Sequence, residues 1–292
     1  MEAGTTSAAR ELGAFLRARR EQTRPEDLGL EPGSRRRVDG LRREEVATLA
    51  GLSTDYYQRL EQGRSARPSE AVLDAIGDAL ALDDTEREHV DRLARAARRP
   101  APRRSRTPDR LAPSALMLLD TTSLPVFIVS RHLDVLAWNA PAADLLGDPT
   151  PLPAAERNVL MMLFRADDAL RFADCEAMAR DYIGMLRAAV ARDPDHPRAV
   201  AVVNGLSVRS AEFRRLWAQH EVRDRINGGK TIHHPRLGDI GVGWDAYPVP
   251  RTLASMIVMT PRPGSEDLFG ELAGPVGVAR VPSRREKLGT WT

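Results

Sequence analysis

Apolar residues recur at spacings of three and four along the first hundred positions, which is the pattern of amphipathic helices. In the stretch Glu11–Gln22, for example, Leu12, Phe15 and Leu16 fall on one face. Four further runs of this kind follow. The pattern therefore predicts a five-helix, all-α domain over residues 1–97.

The stretch Arg43–Gly63 within this domain predicts two short helices joined by a tight turn. Gly51 can adopt the left-handed backbone conformation that ends a helix. The hydroxyl of Ser53 can cap the helix that follows, and Asp55 suits the positive end of that helix's dipole. The residues expected to face the core are Val46, Ala47, Leu49, Ala50, Tyr57 and Leu60.

The other face of the second short helix is polar, and this feature indicates DNA binding. A major groove accepts one helix, and Arg and Gln side chains can hydrogen-bond guanine and adenine. Arg64 and Arg67 follow the helix, where flanking phosphates are expected. The alternative is an ordinary helical hairpin with a solvated face. The residues predicted to contact DNA are Arg43, Ser53, Thr54, Asp55, Tyr56, Gln58, Arg59, Gln62, Arg64 and Arg67.

Short β-branched runs replace the helical spacing in the second half of the chain. Val126–Val129 and Val135–Trp138 predict a β-hairpin, and helical patterns follow it. We therefore expect an α+β domain over residues 113–273, in which helices pack on an antiparallel sheet. The later strands of this sheet are expected at Lys230–His234, Gly238–Ala246 and Ala254–Thr260.

Two segments are predicted to lie outside both domains. Residues 98–112 include the run RRPAPRRSRTPDR, whose Arg and Pro content is typical of an extended linker. Residues 274–292 contain Pro and Gly without an apolar pattern, and they predict a disordered tail.

Composition restricts how the protein can bind DNA and where it acts. The 43 basic and 41 acidic residues leave a net charge of +2, so DNA binding must rest on local patches rather than on bulk charge. The single cysteine, Cys175, excludes an internal disulfide and a zinc-finger framework. Neither a signal peptide nor a membrane-spanning segment is expected, so the predicted location is cytoplasmic.

The second predicted domain is rich in Met and aromatic residues, which suits a cavity for an adaptable apolar molecule. A plain hydrophobic core is the alternative. Arg157, Arg187 and Lys230 are candidates for binding a carboxylate, by charge only. The predicted ligand-binding residues are Met161, Phe164, Tyr182, Met185, Phe213 and Trp217.

The sequence patterns that could indicate a catalytic or metal site do not meet the requirements of such sites. The GGKT run at Gly228–Thr231 has Asp224 where a phosphate-binding loop requires Gly. His233 and His234 are neighbours on a predicted strand and point to opposite faces, so they cannot share a metal ion. The sequence therefore predicts no enzyme, no metal site and no cofactor, apart from a bound fatty acid or similar lipid-like ligand.

The stretch GLRREEVATLAGLSTDYYQRLEQGR at Gly40–Arg64 resembles phage-repressor-type (XRE-type) helix-turn-helix proteins, in the branch that carries a MmyB-like ligand-binding domain. The segments DVLAWN, ARDYIGMLRA and LSVRSAEFRRLWAQHEV resemble that second domain. Two positions depart from the family. Arg42 replaces the usual Ser or Thr cap of the first helix, so Asp39 or Gly40 is expected to cap it. Cys175 replaces the usual Trp.

The resemblance implies a PAS-like fold for the second domain and a role in sensing small molecules, with fatty acids among the ligands that such domains accommodate. We therefore predict a sequence-specific transcriptional regulator that binds a double-stranded DNA operator as a homodimer and senses an apolar, fatty-acid-like molecule. In the alternative, the second domain serves only dimerisation or docking of a partner protein.

Overall fold

The computed structural model describes residues 7–30, 39–64, 68–98, 111–165, 175–221, 227–272 and 279–280. Arg67, most of the predicted linker and the tail beyond residue 280 lie outside the described residues. The chain divides into two compact units. The first contains the described residues of 1–104 and 183–224, and the second contains those of 105–182 and 225–292.

The predicted five-helix domain is confirmed in the first unit. Its core contains Phe15, Tyr57, Ile76 and Leu93, whose side chains are fully buried. Its elements are α1 (Ser7–Gln22), a short 3-10 helix (Pro25–Leu28), α2 (Arg43–Leu49), α3 (Thr54–Glu61), α4 (Glu70–Ala79) and α5 (Asp84–Arg98).

The turn between α2 and α3 forms as its residues predict. Gly51 takes the left-handed conformation with φ 65°, and the Ser53 hydroxyl accepts a hydrogen bond from the Tyr56 backbone N–H at 3.2 Å. Two expectations are wrong. Neither Asp39 nor Gly40 caps α2, because Arg42 takes that position and its backbone N–H donates to the Glu45 carboxylate at 2.7 Å. Leu49, expected to face the core, is 44% exposed, because the buried face of α2 is formed by Val46, Ala47 and Ala50 and Leu49 lies to one side of it.

The predicted α+β fold is confirmed for the second half of the chain. The described residues of the whole chain, α1 to α5 included, contain twelve α-helices and six strands. The remaining elements are α6 (Pro113–Thr121), β1 (Val126–Val129), β2 (Val135–Trp138), α7 (Ala140–Leu146), α8 (Val159–Leu163), α9 (Cys175–Arg192), α10 (Pro197–Arg209), α11 (Ala211–Ala218), β3 (Asn227–His234), β4 (Gly238–Pro248), β5 (Ser255–Pro261), α12 (Glu266–Gly270) and β6 (Ala279–Arg280).

The six strands form one antiparallel sheet in the order β3-β4-β5-β1-β2-β6. Side chains alternate between its faces, so Phe127 packs on one side and Ile128 on the other. Helix α6 contributes Leu119 to the core on the Ile128 side. The predicted tail is partly wrong, since Ala279–Arg280 pairs with β2.

The division between the units differs from the predicted domain boundary. It falls inside α9, so that the end of this helix, together with α10 and α11, belongs to the first unit. Ala191 near the end of α9 is fully buried in the same core as Phe15 and Tyr57. The side chain of Gln22 donates to the Gln219 carbonyl at 2.8 Å. These long-range contacts have no signature in local periodicity.

Candidate DNA-binding surface and ligand cavity

Helix α3 presents a continuous polar face to solvent. Tyr57 and Leu60 anchor its opposite face in the core, so the helix cannot rotate without exposing them. Tyr56 is half-buried at the margin, and Arg67 lies outside the described residues. The exposed residues of the predicted DNA surface are Ser53, Thr54, Asp55, Gln58, Arg59, Gln62 and Arg64.

Arg59 and Asp55 form an ion pair on this face, with 3.2 Å between the Arg59 Nη2 and the Asp55 Oδ2. Both side chains are largely exposed, and exposed pairs one helical turn apart stabilise by only about 0.3–0.5 kcal/mol. The pair can therefore open at little cost when the guanidinium meets a base.

Arg43 has a different place from the other predicted DNA contacts. Its Nε donates to the Glu61 carboxylate at 2.7 Å, and the same carboxylate accepts from the Arg20 Nε at 2.5 Å. The Glu61 side chain is buried, whereas that of Arg43 is 41% exposed. Glu61 therefore ties α1, α2 and α3 together. Apolar spacing alone could not reveal this ion cluster.

A cavity opens between the Phe127 face of the sheet and the helices that cover it. The volume free of protein atoms is about 680 Å³, and this figure includes the solvent at the open mouth. The part of that volume in which the centre of a water molecule fits is about 70 Å³. The sheet contributes Phe127, Val135, Trp138 and Lys230, and the other lining residues are Ala142, Ala143, Leu146, Gly147, Pro149, Val159, Met162, Leu163, Met178 and Tyr182.

Lys230 is the one charged residue among the described residues that line this cavity. Its Nζ lies 3.7 Å from the Met178 sulfur and 6.0 Å from the centre of the Tyr182 ring. Burial lowers the pKa of Lys230 to about 8, although the Asp181 carboxylate acts in the opposite sense. Burial and Asp181 both raise the pKa of the Tyr182 hydroxyl, which therefore stays neutral.

The two sites lie in parts of the chain that match known protein families. Residues 111–268 match the MmyB-like transcription regulator ligand binding domain, and this match covers more than half of the chain. The chain belongs to the MmyB-like transcription regulator family. Residues 11–90 match a helix-turn-helix domain. The protein is therefore a DNA-binding regulator with a ligand-binding domain. No curated protein matches the chain.

The ligand residues predicted from the sequence are only partly brought together in this MmyB-like regulator. Tyr182 lines the cavity, whereas Phe213 and Trp217 stack on each other in the first unit, with 5.6 Å between ring centres. Met185 belongs to the first unit as well. Met161 and Phe164 lie at α8 but do not line the cavity. Helical periodicity predicts that these side chains point inward, but it does not predict which hydrophobic core they join.

The cavity residues that sequence reasoning missed are Phe127, Trp138, Ala142, Met162 and Met178, among others. A detectable signal lay in Trp138, because a large aromatic at the end of a hairpin strand next to a capping Asn packs between strand and helix. Asn139 does cap α7, where its side chain accepts from the Ala142 N–H at 3.1 Å. Cys175 begins α9 and does not line the cavity.

Two of the three residues proposed to bind a ligand carboxylate make other contacts outside the cavity. Arg157 donates to the backbone carbonyls of Leu152 at 2.9 Å and Thr150 at 3.0 Å. The Arg187 side chain is fully buried in the first unit, against Trp217. Lys230 is therefore the candidate that reaches the cavity.

Metal-ligand clusters and membrane-spanning helices are both absent from the described part of the chain. No group of three or more His, Cys, Asp or Glu residues there is arranged to hold a metal ion. Among those same residues, no helix combines the length and apolarity needed to cross a membrane.

Proposed function

We propose that this regulator binds a two-fold-symmetric operator sequence-specifically as a homodimer, and that an apolar, fatty-acid-like molecule in the cavity changes its affinity for that operator. The observation that carries the ligand proposal is the cavity itself. Its walls are almost wholly apolar, and it lies within the part of the chain that matches the ligand-binding domain.

The exposed face of α3 supports sequence-specific reading of DNA. Gln58, Arg59 and Gln62 project from one helix, and their side chains offer the bidentate groups that adenine and guanine accept in the major groove. One such helix covers only half of an operator. Helix-turn-helix proteins reach adequate affinity by pairing, with half-sites about one helical turn apart. This requirement supports the homodimer.

The cavity favours an adaptable apolar ligand. Each CH₂ group that it removes from water is worth about 0.8 kcal/mol, so even a medium acyl chain gains several kcal/mol before ordering costs. The space open to water-sized molecules is small, and a longer chain requires lining side chains to move. Met162 and Met178 suit this need, because unbranched thioether side chains change rotamer easily.

A ligand can change DNA affinity only if it binds two arrangements of the protein with different affinity. The proposal therefore requires a ligand-bound and a ligand-free arrangement of the protein whose affinities for the operator differ.

The test is to narrow the cavity without disturbing the core. Ala143 lines the cavity from α7, and Ala140 on the same helix does not. We expect Ala143→Leu to weaken calorimetric binding of decanoic acid and to remove its effect on affinity for an operator selected from random DNA. Ala140→Leu is the matched control and should preserve both. Both variants should bind operator DNA normally without ligand.

Native mass spectrometry of the purified regulator gives an independent measurement, because it reports any lipid that co-purifies. Absence of a co-purified apolar molecule, together with no binding of octanoic, decanoic or tetradecanoic acid, would overturn the ligand proposal. The second domain would then be assigned to dimerisation or to docking of a partner protein.

A further inference from the structure

We infer that the outward side of helix α10 is the surface through which two copies of this regulator pair, antiparallel to each other about a two-fold axis. This inference rests on the homodimer of the proposed function and names the surface that forms it. We call this surface the α10 stripe; it consists of Pro197, Val200, Ala201, Asn204 and Val208.

The α10 stripe is exposed although it contains no charged residue. Each of its residues is exposed, and the exposed fractions of Val208 and Val200 are 83% and 43%. The opposite side of the helix is apolar as well, since Ala199, Val202 and Leu206 are buried there. A surface helix ordinarily carries charged and polar residues on its outer face, whereas a helix that is apolar all round is ordinarily covered on every side. The outer face of α10 therefore has the composition of a covered surface.

The spacing of the stripe is that of a seam between two helices. Pro197, Ala201, Asn204 and Val208 follow each other at intervals of four, three and four residues, which is the repeat along which helices pack side by side. The small side chain of Ala201 allows the two backbones to approach closely. Asn204 is the one polar residue of the stripe, and a single polar residue in such a seam fixes the register of the two helices at some cost in stability.

The seam is symmetric about its midpoint, which lies between residues 202 and 203. When two copies meet antiparallel about a two-fold axis at this point, Pro197 lies opposite the partner's Val208, and Ala201 lies opposite the partner's Asn204. A two-fold interface requires a surface that is complementary to itself. The α10 stripe meets this requirement, which favours a second copy of this chain over a different protein as its occupant.

Two flanking contacts favour the antiparallel orientation. Val200 lies opposite the partner's Gly205, which has no side chain to collide with it. Asp195 precedes the helix and Arg209 ends it, and both are exposed. Antiparallel pairing brings Asp195 of one copy towards the partner's Arg209, whereas parallel pairing would place like charges together.

The α10 stripe belongs to the same compact unit as α3. Pairing through it would set the distance between the two α3 helices by contacts within that unit, as an operator with a fixed half-site spacing requires. Helix α10 has 13 residues and is about 20 Å long, so one pair of such helices buries less than the roughly 800 Å² per partner of a standard interface. Free copies therefore pair weakly, and two neighbouring half-sites on one DNA complete the dimer by raising their effective concentration.

The experiment compares binding of the full-length regulator to DNA that carries two selected half-sites and to DNA that carries one. We expect two copies of the unmodified protein to bind the two-site DNA cooperatively. Ala201→Glu should weaken binding to the two-site DNA about tenfold or more, because two carboxylates then meet near the two-fold axis, and should leave binding to the one-site DNA unchanged. Position 201 is exposed and Glu is a good helix former, so the fold is retained. Met117→Glu changes an exposed apolar residue of α6; it is the matched control and should change neither affinity.

A second variant tests the register of the pairing. Asn204→Lys alone should also weaken binding to the two-site DNA, because two ammonium groups then lie near the axis. In the double variant Ala201→Glu, Asn204→Lys, each introduced carboxylate faces an introduced ammonium of the partner, and cooperative binding should return. Absence of this recovery would overturn the antiparallel pairing.

The outcomes separate this inference from the proposed homodimer. If the unmodified protein fills the two half-sites independently, the homodimer is overturned, and the α10 stripe as its interface with it. If cooperative binding persists in Ala201→Glu, the α10 stripe is overturned as the dimer interface while the homodimer stands, and the stripe would be assigned to a partner protein. Loss of cooperative binding in Met117→Glu instead of Ala201→Glu would overturn the inference by placing the interface on α6.

Discussion

Arg187 and Glu11 lie 176 residues apart in the chain, yet the Arg187 Nη1 lies 2.7 Å from the Glu11 carboxylate. The Arg187 side chain is fully buried; it also donates to the Trp217 carbonyl and stacks 4.1 Å from the centre of the Trp217 ring. Burial lowers the pKa of Arg187 to about 10, and Glu11 acts against this effect, so the guanidinium stays charged near neutral pH. The ion pair joins α9 to α1 within the first unit.

Removing the negative partner of this pair is expected to destabilise the protein strongly. Glu11→Gln leaves a buried guanidinium without a counter-charge, which costs about 3–5 kcal/mol when both partners are buried. Because Glu11 is partly exposed, we expect about 3 kcal/mol in the free energy of unfolding, measured with urea. The double variant Glu11→Met, Arg187→Met should lose less, since no isolated charge remains.

Arg180→Met provides the control on the same helix. Arg180 pairs with Glu176 one turn away near the surface, where such a pair contributes about 0.3–0.5 kcal/mol. If Glu11→Gln and Arg180→Met lost similar amounts of unfolding free energy, the buried pair would contribute no more to stability than the pair near the surface.

Two histidines near Arg187 make stability depend on pH. His220 contacts the Arg187 Nη1 through its Nδ1 at 2.9 Å, and neither ring nitrogen of the buried His89 has a hydrogen-bond partner among the described residues. Burial lowers the pKa of His220 to about 3, and Arg187 adds to this effect. Burial also lowers the pKa of His89 well below its ordinary value, with Arg187, Arg92 and His220 contributing.

The direction in which stability changes with pH follows from proton uptake by the unfolded chain. Both histidines stay neutral in the folded protein, whereas the unfolded chain protonates them below about pH 6.5. Their contribution is therefore complete above that pH and is lost as the pH falls. Between about pH 7.5 and about pH 5.5 we expect a loss of about 2–3 kcal/mol in unfolding free energy.

His220→Asn tests the origin of this pH dependence. The His220 backbone has φ 52°, a left-handed conformation that Asn tolerates well. The variant should show roughly half of the pH-dependent loss, because His89 alone then titrates. An unaltered slope in His220→Asn would assign the effect to other groups.

Arg59 is the residue of α3 for which we predict the largest effect on sequence discrimination. Arg59→Ala should cost about 1–3 kcal/mol on the selected operator and less on random DNA, because a bidentate guanine contact is lost. Fluorescence anisotropy with both DNAs measures the difference. Arg95→Ala removes another exposed Arg with an acidic neighbour one turn away, and it should change neither affinity. Equal losses on both DNAs would reduce Arg59 to a phosphate contact.

Gly13 reverses the usual rule for glycine in a helix. Replacing a helical Gly by Ala ordinarily stabilises by about 1 kcal/mol. A Cβ at Gly13, however, would lie 2.4 Å from the Glu61 carbonyl oxygen and 2.6 Å from that of Leu60. Gly13→Ala should therefore push α3 away from α1, lower the midpoint of thermal unfolding and weaken operator binding.

The control for this substitution is Gly270→Ala, because a Cβ there meets no atom within 4 Å. Its unfolding midpoint should equal or exceed that of the unmodified protein, as the usual rule for a helical glycine predicts. A Gly13→Ala protein as stable as this control, with normal DNA affinity, would show that α1 and α3 can separate without cost.

Local sequence determined much of this protein. The helices of the first domain and the turn at Gly51 and Ser53 follow from apolar spacing and from capping chemistry, which involve residues a few positions apart. The hairpin of Val126–Val129 and Val135–Trp138 follows from β-branched runs around a turn. Energies of this kind are decided within one element, so a single sequence is enough to read them.

The tertiary structure alone decided which inward faces meet. Helical spacing shows that Phe213 and Trp217 point inward, but only packing places them beside Arg187 rather than in the cavity. It likewise brings Lys230 to a wall formed with Met178 and Tyr182. The physical reason is that periodicity records that a side chain leaves water, whereas the identity of its neighbours depends on long-range contacts between elements far apart in the chain.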